Sequence, residues 1–137
     1  MNKLWANLHG GSTHFPIALM IASVLFDLAA CAARGALKRD LRVAGFYSLL
    51  LGAAAAFVAV LSGLVVSAWL FFGQGTLALH HRFVWPAFGL MVGLAVWRWV
   101  VREDAAPAAF AVYLVVAAAT AGLMAASGYY GGELLGG

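Results

Sequence analysis

Four long apolar stretches constrain this chain more than any other feature. They cover roughly residues 13–33, 43–71, 77–100 and 108–130, and charged or glycine-rich segments separate them. A helix needs ~20 residues to cross ~30 Å of hydrocarbon. A membrane strand would need about 10 residues of alternating polarity, and the sequence has no such alternation. Because a backbone in lipid must satisfy its own hydrogen bonds, we predict an all-α fold: one integral membrane four-helix bundle over residues 1–137.

Composition agrees with a membrane protein. The chain is 65% hydrophobic and only 9% charged, whereas a soluble domain keeps about a quarter of its residues charged. Most of the basic residues flank the first and third connections between the apolar stretches; they are Arg34, Lys38, Arg39, Arg42, Arg98 and Arg102. The positive-inside rule therefore places these connections in the cytoplasm and both termini outside.

Localisation follows from this orientation. We expect a multi-pass protein of the bacterial inner (plasma) membrane, with the opposite end of the bundle facing the periplasm. The net charge of +3 is then a topology signal, so nucleic acid is not an expected partner, whereas lipid is.

All four histidines fall near the predicted periplasmic face. His9 and His14 lie in the sequence HGGSTHFP before the first apolar stretch, and His80 and His81 lie at the start of the third. Ser12 or Thr13 is expected to cap the first helix, which leaves His9 in a short approach segment loosened by two glycines. His14 and one of His80 or His81 are expected to face each other across two helices.

Imidazoles at a membrane boundary can ligate haem iron or another metal, carry protons, or lie among lipid headgroups. Haem b agrees best with one imidazole from each of two helices, because helical bundles commonly build cofactor sites this way. We take His14, His80 and His81 as candidate axial ligands and His9 as a further haem-binding candidate. Arg82 and Tyr129 are candidates to bind the propionates. A discrete copper or zinc site is less favoured, because the chain has no Cys/His spacing motif.

Two carboxylates also stand out. Asp27 lies 13 residues beyond His14, about 20 Å further along the helix, where a carboxylate is costly unless it is paired or wetted. It is expected either to pair with Arg34, Arg98 or Arg102, or to serve as a proton-carrying or quinone-site residue. Glu133, near the C-terminus, is expected to be solvated or to orient a histidine.

The first and third apolar stretches share a weak similarity. Each has a histidine near its periplasmic end and a proline after it, namely Pro16 and Pro86. The similarity is too short to establish an internal repeat.

Several motifs together resemble a bacterial four-helix family known as domain of unknown function 2231. They are His-x4-His-Phe-Pro-Ile from His9, Phe26-Asp27-Leu28, the histidine at the start of the third stretch, and the closing Gly-Tyr-x-Gly-Gly-Glu-Leu. The resemblance implies a predicted membrane protein found beside cytochromes, Rieske-type proteins or periplasmic oxidoreductases, which favours electron transfer. It carries over His9, His14 and one of His80 or His81 as motif histidines.

The functional prediction is a cytochrome b-like electron-transfer subunit of a respiratory chain. It would bind haem near the periplasmic face and relay electrons between a periplasmic redox protein and quinone or another membrane complex, with other subunits of that complex as partners. We expect no enzyme activity of its own, because no nucleophile–base pair or substrate loop is evident. One alternative is a cofactor-free scaffold or accessory subunit. Another is a minor transporter or metal-handling protein centred on Asp27.

Overall fold

The computed structural model is helical, as predicted, and has four segments long and apolar enough to cross a membrane. It describes residues 3–102 and 104–136, with side chains up to residue 134. The helices are α1 (Lys3–Ser12), α2 (His14–Ala32), α3 (Gly35–Val66), α4 (Gly75–Val101) and α5 (Pro107–Gly136). Helices α1 and α2 are one continuous span, because Thr13 between them has helical backbone angles and its N–H donates to the His9 carbonyl.

The first span begins earlier than the sequence suggested. We predicted a start near residue 13 with His9 outside the helix, whereas helix α1 begins at Lys3 and includes His9, Gly10 and Gly11. A helix in lipid lowers its free energy by continuing through two glycines, because any freed backbone group would lack water. The Ser12 and Thr13 hydroxyls donate to carbonyls of the preceding turn instead of capping a new helix.

Two of the other spans are also displaced from their predicted bounds, whereas α4 begins and ends within two residues of them. Helix α3 runs from 35 to 66 and not from 43 to 71, so it includes Lys38, Arg39 and Arg42. Helix α5 extends to Gly136, six residues past the predicted end at 130. The segment between α3 and α4 has left-handed backbone at Ala68, Trp69 and Gly73, which ends α3 and reverses the chain.

The spans form two neighbouring pairs. The span α1–α2 packs along α3, and α4 packs along α5; α2 also contacts α5, and α3 contacts α4. Helices α2 and α4 therefore lie diagonally across the bundle and run in the same direction. Between them lies a core that includes the fully buried Met20, Leu49 and Met91. Many large apolar side chains remain exposed, among them Leu25, Phe57 and Val115, as expected of a surface that contacts lipid tails.

Candidate functional site

The two ends of the bundle carry different polar groups. We call the end that contains His9 and His80 the histidine end, and the end that contains Asp27 and Arg98 the ion-pair end. Eighteen residues separate His9 from Asp27 and His80 from Arg98, which corresponds to about 27 Å of helix.

His9 is held against helix α3. Its Nδ1 lies 2.9 Å from the Ala59 carbonyl oxygen and 3.3 Å from the Ser62 hydroxyl. A carbonyl oxygen can only accept, so Nδ1 carries the proton. The Ser62 hydroxyl itself donates to the Ala59 carbonyl over 3.0 Å. Nε2 of His9 is therefore the ring nitrogen with a free lone pair, and it has no hydrogen-bond partner among the described residues.

His80 has the same arrangement on the other helix pair. Its Nδ1 donates to the Ser127 carbonyl of α5 over 2.8 Å. Nε2 of His80 is likewise an unprotonated nitrogen without a partner in the described part of the chain. His80 and His9 lie within range of an electrostatic interaction with each other, although they belong to different helix pairs.

A glycine lies against each imidazole. A Cβ atom at Gly63 would be 2.8 Å from Cε1 of His9, and one at Gly131 would be 3.1 Å from Cε1 of His80. Each glycine follows the acceptor residue by four positions, Ala59 in one case and Ser127 in the other. It is therefore on the same helix face as that carbonyl, one turn along. The missing side chain lets the ring lie directly on the neighbouring helix.

The other two predicted histidines, His14 and His81, have different surroundings. His14 is exposed and makes no hydrogen bond or ring contact with another described residue. The expectation that it faces His80 or His81 therefore has no support in its contacts. His81 is buried, with ring centroids 5.7 Å from His80 and 6.0 Å from Trp85, and its Nδ1 has no partner within residues 3–102 and 104–136.

The residues predicted to bind the haem propionates lie at the surface of the histidine end, and so does Glu133. Arg82 is exposed, and so is Tyr129, whose hydroxyl lies near the exposed Glu133 carboxylate. No contact of Glu133 with a histidine is found among the described residues. Next to this group, Phe83 of α4 stacks on Tyr130 of α5 with ring centroids 5.3 Å apart.

The ion-pair end is a fully buried network. The Arg98 guanidinium lies 2.6 Å from the Asp27 carboxylate, with neither side chain exposed, and the Tyr113 hydroxyl donates to the same carboxylate oxygen over 2.9 Å. Arg98 also donates to the Arg42 carbonyl over 3.1 Å. Of the partners predicted for Asp27, Arg98 is confirmed. The network joins helices α2, α3, α4 and α5.

Tyr113 and Gly45 complete the surroundings of Asp27, and neither was identified from the sequence. A Cβ at Gly45 would be 2.8 Å from Oδ1 of Asp27, so this carboxylate oxygen lies directly on the α3 backbone. The Ser23 hydroxyl donates to the Gly45 carbonyl over 2.8 Å. A tyrosine or glycine in an apolar helix has no distinctive sequence signal, so only the packing reveals these two contacts.

Comparison with known families gives one match. A family model described as a predicted membrane protein, domain of unknown function 2231, matches residues 6–135. The chain belongs to this family. The match covers all four histidines and the whole ion-pair network, and the resemblance to this family is confirmed. No curated protein and no solved structure matched the chain.

Membership agrees with the helices: this is a multi-pass membrane protein of the domain of unknown function 2231 family. The description of the family names no substrate or cofactor.

Proposed function

We propose that the chain is a membrane-embedded electron-transfer subunit, cytochrome b-like, that binds haem b between His9 and His80. The observation that carries this proposal is that both imidazoles donate Nδ1–H to a backbone carbonyl, across 2.9 and 2.8 Å, and keep Nε2 free. Metal-ligating histidines are oriented in this way, because the hydrogen bond fixes the tautomer and makes the other nitrogen a better ligand.

The number of ligands favours haem over a bare metal ion. The pair would supply two imidazoles, and haem iron takes fewer protein ligands than a bare metal ion does. Among the described residues there is no group of three or more His, Cys, Asp or Glu side chains that could hold a metal ion. Two imidazoles from different helix pairs would therefore hold a haem group better than a bare metal ion.

The packing of α1 also agrees with a flat ligand. Within the described residues, α1 packs on α3 and makes at most marginal backbone contact with α4 and α5. His9 thus belongs to a helix that does not pack tightly against the second helix pair. We place the proposed cofactor between the two pairs, with His9 on one side and His80 on the other.

His14 has a different place in this proposal from the one the sequence suggested. As an exposed residue near the α1–α2 junction, it is not among the proposed ligands. His81 supports the site from beside His80, and the exposed Arg82 remains the proposed cationic partner of a propionate. When bound, the haem supplies one-electron chemistry, and the chain supplies ligands, burial and orientation.

Orientation and partners complete the proposal. The basic residues Arg34, Lys38 and Arg39, exposed at the ion-pair end, favour the cytoplasm for that end and the periplasm for the histidine end. The subunit would sit in the bacterial inner membrane and pass electrons between a periplasmic redox protein and quinone or another membrane complex. It would act without catalysis of its own, as one subunit of a respiratory assembly.

A second candidate function is a cofactor-free scaffold that docks into a larger complex. The observation in its favour is that Gly89 and Gly93 of α4 are exposed, and a Cβ at either would meet nothing within 4 Å. Glycines four apart on an outward face allow another membrane helix to approach closely. Such a scaffold would need no cofactor at the histidine end.

The deciding experiment is a dithionite-reduced minus oxidised absorption spectrum of the protein purified in detergent, with a pyridine haemochrome assay. We expect a b-type spectrum with about one haem per chain. The His9→Ala variant should lose it, and the matched His14→Ala variant should keep it. A folded, colourless wild-type protein from haem-replete cells would contradict the electron-transfer function and favour the scaffold.

A further inference from the structure

A constant spacing relates α1–α2 to α4. The same distance in sequence, 71 residues, separates three pairs of side chains: His9 and His80, Met20 and Met91, and Asp27 and Arg98. The first pair forms the histidine end, the second is fully buried in the core, and the third is the buried ion pair. One spacing therefore relates the functional groups at both ends of the bundle.

The buried faces of the two helices follow the same spacing. Five of the six buried residues of α2 have a buried counterpart 71 positions later in α4. The pairs are Pro16 and Ala87, Met20 and Met91, Ser23 and Leu94, Val24 and Ala95, and Asp27 and Arg98. The side chains differ in size and polarity, so the agreement lies in which face is buried and not in residue type.

The returning helices α3 and α5 are related by a second spacing, 68 residues. The glycines beside the imidazoles, Gly63 and Gly131, are 68 apart, and so are the acceptors Ala59 and Ser127. Four buried positions also correspond: Gly45 and Tyr113, Leu49 and Ala117, Gly52 and Thr120, and Ala56 and Met124. The hydrogen bond from each histidine to its acceptor carbonyl is thus made twice, at equivalent places.

The packing of the helices completes the relationship. Residues 3–66 form one helical hairpin and residues 75–136 form a second, and each is packed tightly within itself. The contacts between hairpins are α2 with α5 and α3 with α4, which exchange when the two hairpins are exchanged. Because α2 and α4 run in the same direction, the rotation that relates the hairpins has its axis along the bundle.

We propose that this chain is two equivalent helical hairpins around a pseudo-twofold axis along the membrane normal, and that the Asp27–Arg98 pair is a positioning device that sets the depth at which His9 and His80 meet. Both pairs lie at equivalent positions of the two hairpins. Internal repeats related by an axis along the membrane normal are a known architecture of membrane proteins.

The positioning role follows from the equal lengths of helix involved. His9 and His80 are each 18 residues from the member of the ion pair on the same span. If the ion pair holds the two spans at the same depth at one end of the bundle, the two imidazoles lie at the same depth at the other end, about 27 Å away. Sliding one span by a turn would displace one imidazole by about 5.4 Å along the axis, too far for both nitrogens to face one site.

An ion pair suits this purpose better than apolar packing does. A fully buried charge pair is a weak source of stability, since desolvation offsets much of its attraction, but it accepts only one alignment. Here the alignment is fixed further by the hydrogen bonds of Tyr113 to Asp27 and of Arg98 to the Arg42 carbonyl. The symmetry of the two hairpins does not depend on a cofactor. The reason for fixing the depth of the two histidines rests on the proposed haem site.

Cross-linking tests the proposal on the full chain without haem. Cys31, the one native cysteine, is exposed and is replaced by serine. The His9→Cys substitution is then combined with His80→Cys, or with Thr76→Cys or Val84→Cys, which lie one turn to either side of His80. A short bis-maleimide is applied in membranes, and the joined peptides are quantified by mass spectrometry. With the ion pair intact, we expect the His80→Cys combination to give at least fivefold more cross-link than either neighbour.

The ion pair is then changed in two ways. The Asp27→Leu/Arg98→Met double variant removes the charges but keeps apolar volume, a replacement that buried ion pairs generally tolerate. In this variant we expect the amounts of cross-linked product at the three cysteine positions to agree within twofold. The Asp27→Arg/Arg98→Asp double variant exchanges the two members of the pair, and it should restore the preference for position 80. Helicity and monodisperse elution verify folding.

Two results would overturn the proposal. An unchanged preference for position 80 in the folded Asp27→Leu/Arg98→Met chain would show that the ion pair does not set the depth. If the folded Asp27→Arg/Arg98→Asp chain gave similar amounts of cross-link at all three cysteine positions, positions 27 and 98 would not be equivalent. His9 is replaced in all of these chains and His80 in one set of them, so the absorption spectrum of the wild-type protein decides the haem function separately.

Discussion

The Arg98 guanidinium donates to the Asp27 carboxylate across 2.6 Å, with both side chains fully buried. An unpaired charge in this position would lack both water and a counterion. Each member of the pair is therefore tolerated because the other is present.

We therefore expect the Arg98→Met variant to lose ~3–5 kcal/mol of stability, because it leaves the Asp27 carboxylate buried without its cation. The Asp27→Leu/Arg98→Met double variant should recover most of that loss. Thermal unfolding in detergent, followed by circular dichroism, measures both. Equal destabilisation by the single and the double variant would contradict the coupling of the two charges.

The contact between Asp27 and Gly45 gives a second prediction. A methyl group at Gly45 would be 2.8 Å from Oδ1 of Asp27, so Gly45→Ala should destabilise the chain by ~1–3 kcal/mol through overpacking. Gly122→Ala is the matched control, because a Cβ there meets nothing within 4 Å and alanine favours the helix. We expect an unchanged or higher unfolding temperature for the control, and a similar fall in both variants would argue against the close approach.

Two adjacent glycines of α5 test the support of His80. A Cβ at Gly131 would be 3.1 Å from Cε1 of His80, whereas one at Gly132 would meet nothing within 4 Å. Gly131→Ala should displace the imidazole and reduce the haem retained after purification several-fold, and Gly132→Ala should retain the wild-type amount. The pyridine haemochrome assay measures the ratio. Loss of haem in neither variant would mean that the His80 ring does not need this surface.

Substitution of the two adjacent histidines of α4 tests which of them is the haem ligand. His80→Ala should abolish the b-type spectrum, because it removes one of the two free Nε2 atoms at the proposed site. His81→Ala should keep the spectrum and mainly affect the packing beside Trp85, whose ring centroid is 6.0 Å from that of His81. If instead His81→Ala removed the spectrum and His80→Ala preserved it, the ligand assignment would move to His81.

The sequence predicted the spans well because hydropathy and length decide whether a segment crosses a membrane. It also predicted Arg98 among the partners of Asp27, because a carboxylate in an apolar span requires a cation. It misplaced His9, because the glycines after that residue indicated a break. In lipid, the need for backbone hydrogen bonds outweighs the weak helix propensity of glycine.

The site at His9 could have been found from the sequence by a different alignment. Matching the proline residues of the first and third spans aligns Pro16 with Pro86, a spacing of 70 residues. At that spacing none of the three pairs of the two spans is aligned. A spacing of 71 aligns His9, Met20 and Asp27 with their counterparts at once. Tyr113 and Gly45 would still escape detection, because they match in burial and not in chemistry.

The opposite charges at positions 27 and 98 also bear on self-recognition. Were a single hairpin to pair with its own copy about the same axis, two carboxylates or two guanidinium groups would meet where lipid excludes water, and they would repel. Only unlike hairpins satisfy the pairing. The fusion of both in one chain supplies them in equal number.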